Sequence, residues 1–154
     1  MEFDVSFQPL LLVAVSDQLL HQRVSRKLKE ARVHFISVSQ TFEAVAVQEA
    51  IGPQIVGVIV EQQHVFDVEG MNLWSALSAQ SRALPALLIG SDQWVLETQL
   101  HRMPSGSISL LRPFTDGAFS TQMDLAIRWV EAARFKHGCR TLTTSLSRVT
   151  QVAR

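Results

Sequence analysis

Three short runs, PLLLVAV at 9–15, IVGVIV at 55–60 and ALLIG at 86–90, are apolar at nearly every position. A strand of that pattern offers no polar face to water and has to be covered on both sides, as happens in parallel sheets flanked by helices. The segments between the runs supply the cover. After the first run, Asp17 is placed to cap a helix on which Leu20, Val24, Leu28 and Ala31 recur at helical spacing. VHFISV at 33–38 follows as a second strand, then a helix capped by Thr41 and stopped near Ile51 by Gly52 and Pro53.

Beyond the third run, GMNLWSALSAQS carries Met71, Trp74 and Leu77 as a third helix, and Pro85 introduces the fourth strand. Ser91 or Asp92 caps a fourth helix with Leu96, Leu100 and Met103 on its inner side. SISLL at 107–111 is the fifth strand, and a long fifth helix at 115–137 ends where Gly138 follows. Five strands alternating with five helices predict an α/β fold, a five-stranded parallel doubly wound sheet with helices on both faces. A domain over 1–137 is followed by a C-terminal linker or tail over 138–154, GCRTLTTSLSRVTQVAR. The tail has three Arg and no acid, and Leu142, Leu146 and Val149 line one face if it is helical.

Charge and cysteine usage narrow the function. The 154 residues hold 14 Lys and Arg against 14 Asp and Glu, so the broad basic footprint of a nucleic-acid or anionic-membrane binder is missing. Five bases, Arg23, Arg26, Lys27, Lys29 and Arg32, crowd the first helix and read as its solvated face, and Glu43, Glu49, Glu61, Asp67 and Glu69 read as surface acids. No apolar run reaches the roughly 20 residues that cross a bilayer, and MEFDVSFQP has acids where a signal peptide carries bases. A cytoplasmic location is expected. Cys139 is the one cysteine and excludes intrachain disulfides. His21, His34, His64, His101 and His137 never fall at the spacing of helical zinc ligands, and the turn VSDQLL lacks the glycines of a nucleotide-phosphate loop. No metal and no cofactor are expected, and Gly57 inside a strand marks a close approach or a bulge.

In a sheet of this kind the functional loops lie past the carboxyl ends of the strands, which selects Ser16, Asp17, Ser39, Glu61, Gln62, Gly90, Ser91, Arg112 and Pro113. Over 9–137, and above all in PALLIGS, GMNLWSAL and SISLLRPFT, the chain resembles the receiver domains of bacterial response regulators, a flavodoxin-like fold of strand order 2-1-3-4-5. The resemblance implies a two-component signalling module. In that family an acid pair after the first strand and an Asp after the third hold magnesium, and that Asp accepts a phosphoryl group. Here the pair is Ser16 and Asp17, the hydroxyl position after the fourth strand is Gly90 with Ser91 next, and the family's Lys is Arg112, followed by Pro113. For the acceptor, counting back from Gly70 gives Gln62 and counting forward from Pro53 gives Ile59, while the end of the apolar run favours Glu61 or Gln62. Neither is Asp.

The expectation is therefore a degenerate pseudo-receiver, not an enzyme, that lacks the phospho-acceptor Asp and acts through protein contacts. Two other readings are a divergent receiver, in which Asp17 and Glu61 still bind magnesium and phosphate is taken up, and a small flavodoxin-like nucleotide-binding enzyme. On the fifth helix Leu125, Trp129 and Ala132 form a second apolar stripe away from the core stripe Phe119, Met123, Ile127 and Val130. On the fourth, Trp94, Thr98 and His101 lie opposite the core side. These six residues predict a homodimer or signalling-partner interface made by the fourth helix, fifth strand and fifth helix, with no contact to nucleic acid or membrane.

Overall fold

The computed structural model describes residues 8–64 and 84–152, with backbone alone at 41, 42, 45, 48 and 137–152. Five strands, β1 (Leu10–Ala14), β2 (His34–Val38), β3 (Ile55–Glu61), β4 (Ala86–Gly90) and β5 (Ile108–Leu111), form one sheet in the order β2-β1-β3-β4-β5. Each neighbouring pair is parallel. The helices are α1 (Gln18–Glu30), α2 (Thr41–Ile51), α3 (Gln93–His101) and α4 (Asp116–Val152), and 3-10 turns at Gly52–Gln54 and Gln62–His64 bracket β3. The expected helix with Met71, Trp74 and Leu77 lies outside the described residues, as do Asp67, Glu69 and Gly70.

Alternation along β1 divides the core in two. Leu11, Val13 and Val15 join Leu20, Val24 and Leu28 of α1 and Phe119, Met123, Ala126 and Val130 of α4 on one face. Leu10, Leu12 and Ala14 join Ala44 of α2 and Leu96 of α3 on the other. All five residues of β1, all seven of β3 and all five of β4 are buried, which is why those runs carry no polar alternation. β2, at the sheet edge, is exposed at His34 and Ser37.

Several local expectations are corrected, and the choice between Ser91 and Asp92 is settled. Thr41 opens α2 as its first residue; the cap position is Gln40, which makes no side-chain capping bond. At α3 the cap is Asp92, accepting from the Val95 N–H at 3.1 Å. The basic face of α1 is only partly solvated. Arg23 pairs with Asp116 at 2.7 Å and sits over the Phe114 and Phe119 rings, and Lys27 pairs with Asp124 at 3.4 Å. Two of the five bases thus join α1 to α4. The last helix does not stop at Gly138 but runs to Val152, although an interior glycine costs a helix roughly 1 kcal/mol relative to alanine.

The largest correction concerns Trp129, expected on the surface with Leu125. Its indole is half-buried and lies on β3, where a Cβ built at Gly57 would come 2.5 Å from Trp129 Cε3 and 3.1 Å from Leu11 Cδ2. Gly57 is therefore the seat of the indole, and the two residues are one packing unit. Adding even one methyl into such a close-packed site forces the ring or the helix to move. Gly57→Ala is expected to destabilise the fold by about 1 to 3 kcal/mol in urea unfolding, with much of the loss recovered when Trp129→Leu is added; a stability unchanged by Gly57→Ala would mean that the indole does not rest on β3.

Candidate functional site

The carboxyl ends of β1, β3, β4 and β5 converge on one group of polar side chains, and Glu61 is at its centre. As the last residue of β3, beside Ile89 of β4, it is 8% exposed and so stands apart from the surface acids among which its sequence context placed it. A carboxylate that deeply placed needs partners for its charge and its lone pairs. It has them. Oε1 accepts from the backbone N–H of Ser16, and from that of Asp17 at 3.1 Å, while Oε2 lies 3.5 Å from Arg112 Nη2.

Arg112 follows β5 and is joined to Pro113 by a cis peptide bond. Its other terminal nitrogen, Nη1, donates to Asp17 Oδ2 at 3.3 Å. One guanidinium thus touches both carboxylates. Asp17 also caps α1 by accepting from the Leu20 N–H at 3.0 Å, and that bond, with Arg112 nearby, holds its carboxyl below the usual carboxylate range. Arg112 and Asp17 remain partly exposed, at 30% and 40% of their side chains, so by itself their pairing is worth at most about 1 kcal/mol.

Ser16 does not act as a carboxylate here but as a hydrogen-bond relay. Its hydroxyl donates to the Ser39 carbonyl at 2.7 Å and lies 2.8 Å from His64 Nε2. Since a hydroxyl has a single proton and Ser39 takes it, His64 is the donor in the second bond, which fixes its proton on Nε2. His64 is buried at 6% exposure. The spacing of the histidines carries no sign of this role; His64 lies three residues past Glu61, in the 3-10 turn that follows the strand end.

Gln62, the other candidate for the acceptor position, points elsewhere. Its side chain lies on Gly90, where a Cβ would come 2.1 Å from Gln62 Oε1 and 2.9 Å from Gln62 Cβ. The amide occupies the space a side chain at 90 would need. Next to them opens a cleft of about 380 Å³ lined by Glu61, Gln62, Gln63, Gly90, Ser91, Gln99 and Arg112 among others. Gln99, 8% exposed, reaches it from α3 and was not singled out by sequence; its Oε1 and that of Gln62 have no hydrogen-bond partner among the described residues. Ser91 is exposed where it lines this cleft, and Pro113, also exposed, lines a neighbouring cleft with Asp17, Leu19 and Phe114.

The donor set does not suit a magnesium ion. Such an ion requires several hard oxygens free to take octahedral places, whereas Glu61 Oε1 accepts two backbone N–H groups and Glu61 Oε2 and Asp17 Oδ2 lie 3.5 and 3.3 Å from the Arg112 guanidinium, a cation where the ion would need to sit close. Among the described residues no three His, Cys, Asp or Glu side chains gather into a metal-binding group.

No protein-family model matches this sequence, and no curated protein does. Solved structures do match. A response regulator receiver protein from Sinorhizobium medicae superposes with a TM-score of 0.60 at 20% identity, over 80% of this chain and 95% of that one. One from Pseudoalteromonas atlantica gives 0.62 at 15% identity, over 81% and 99%. The fold is the receiver fold. A fusion carrying a trimeric coiled-coil segment of yeast Spc42 matches at 0.61 and 16% identity, over 92% of this chain and 96% of that one.

Of the surface residues expected at an interface, Trp94 is 73% exposed, and His101 and Ala132 are exposed as well. Thr98 and Leu125 are half-buried, the Thr98 hydroxyl donating to the Trp94 carbonyl at 2.8 Å. Among the described residues no helix is long and apolar enough to cross a membrane.

The contact between Gln62 and Gly90 can be tested by compensation. Gly90→Thr alone is expected to cost about 1 to 3 kcal/mol through overpacking, and Gln62→Ala in the same chain to recover most of it. Strictly additive losses in the double variant would show that the two side chains do not compete for one space.

Proposed function

We propose that this chain is a signal-transduction module of the two-component type whose phosphotransfer site has been replaced by an internal ion pair, and which works through protein contacts without being an enzyme. One observation carries the reading: the carboxylate at the end of β3 is a Glu already satisfied by two backbone N–H groups and by Arg112. In receivers the corresponding carboxylate has to be free for a phosphoryl group, with a metal ion beside it to offset the charge. Here the single Arg112 guanidinium stands against both Glu61 and Asp17 and offsets one of their two negative charges. A phosphoryl group arriving at Glu61 would have to displace both the guanidinium and the amides, and the longer side chain moves its point of attachment by more than about an ångström.

The contact surface we assign is the α3, β5 and α4 side, where Trp94 offers a large exposed aromatic of the kind that anchors interfaces, with His101 of α3 and Ala132 of α4 also exposed. Trp129 no longer belongs to that surface as an anchor, since it is spent on Gly57. The module needs no cofactor or metal in this reading and operates in the cytoplasm.

Incubation with acetyl phosphate and magnesium, followed by intact-mass measurement, is expected to leave the mass unchanged. A gain of one phosphoryl group would favour the divergent-receiver reading and refute this one.

A further inference from the structure

The last helix outruns the domain it packs on. Among the side chains of α4 that the structure describes, Val130 is the last that is fully buried, and Arg134 ties the helix to the sheet domain by donating to the Arg32 carbonyl at 2.9 Å. Phe135 is then 72% exposed, and the helix continues to Val152, a projection of roughly 27 Å at 1.5 Å per residue. The residues of that projection are poor helix formers: one Gly, and many Ser, Thr and Val from 138 onward. A lone helix of such composition is marginal in water, and its stability has to come from packing along an apolar stripe.

The sequence provides the stripe with a coiled-coil period. Ala132, Phe135, Cys139, Leu142, Leu146 and Val149 follow at intervals of three, four, three, four and three, a 3.5-residue repeat with an apolar residue at every a and d position. Flanking positions fit a second copy of the same chain. With Ala132 at a, Glu131 falls at g and Lys136 at the e position five residues on, the pair that forms interhelical salt bridges in a parallel two-stranded coil. The later e and g positions, Gly138, Thr143, Ser145 and Thr150, are uncharged, and Arg140 and Arg148 fall at b and c, outside the seam. No like charges meet across the axis.

We infer that two copies of this chain associate through a parallel coiled coil formed by α4 beyond Ala132. Apart from Ala132, which borders both, this surface is distinct from the one assigned around Trp94, and it does not rest on the reading of the phosphotransfer site. It would hold two sheet domains side by side and couple their orientation to the helix pair that leaves them.

The test uses the full chain. Sedimentation equilibrium at micromolar concentration is expected to give the mass of two chains for the wild type and for Trp94→Ala, and of one chain for Leu142→Asp combined with Leu146→Asp. Urea unfolding of that last variant checks that its sheet domain stays folded. Copper phenanthroline, taking the two electrons released as paired thiols form a disulfide, is expected to link Cys139 to its counterpart in the wild type, since a positions of a parallel pair face each other within disulfide reach. A single-chain or three-chain mass for the wild type would overturn the inference. So would a dimer that survives the Leu142 and Leu146 changes, or a dimer that gives no Cys139 cross-link.

Discussion

Glu61 ends β3, the central strand of the sheet, which is buried along its entire length, so its charge emerges where the protein has little water to offer. Everything around the carboxyl edge answers to that charge. The turn after β1 presents two N–H groups to Oε1, and the turn after β5 brings a guanidinium to Oε2. Removing either set would leave a nearly buried carboxylate short of partners, a larger loss than any surface ion pair in the molecule represents. Asp17 then gains a second role, since the cap that starts α1 also shares the cation that neutralises β3.

The same logic of shared space governs the interior. Two glycines in strands, Gly57 and Gly90, exist beside side chains that lie on them, Trp129 and Gln62. In both cases the larger residue came from another segment and the strand gave way. An added Cβ at Gly57 would come 2.5 Å from the Trp129 ring, and one at Gly90 would come 2.9 Å from Gln62 Cβ as well as 2.1 Å from its Oε1, so in both pairs something has to shift to admit it.

The sheet was legible in the sequence because burial on both faces writes itself as an unbroken apolar run; β3 and β4 begin where those runs begin, and the cap at Asp17 is where a short polar residue precedes helical periodicity. What could not be read was the destination of individual side chains. Angular arithmetic set Trp129 on an outer stripe, yet a long indole at the margin of a helix face reaches a neighbouring strand if that strand carries a glycine. Counting from Gly70 and from Pro53 gave conflicting positions for the acid because spacing does not reveal how a strand end is used; the structure gives Glu61 to the ion pair and Gln62 to Gly90. Gly138 reads as a stop signal by local propensity, and the helix passes through it, as happens where packing outweighs propensity. His64 and Gln99 carry no motif at all, and only folding brings them to the site.

The central claim is that Arg112 serves as the standing cation of the Glu61 carboxylate. A double-mutant cycle with Glu61→Gln and Arg112→Gln, read by urea unfolding of the two single variants and the double, tests it directly. The account predicts that each single change destabilises and that the double variant is more stable than their sum by about 1 kcal/mol or more, because the second change removes a charge the first left unpaired. Losses that add to within about 0.3 to 0.5 kcal/mol would show the two side chains to be energetically independent and would contradict it.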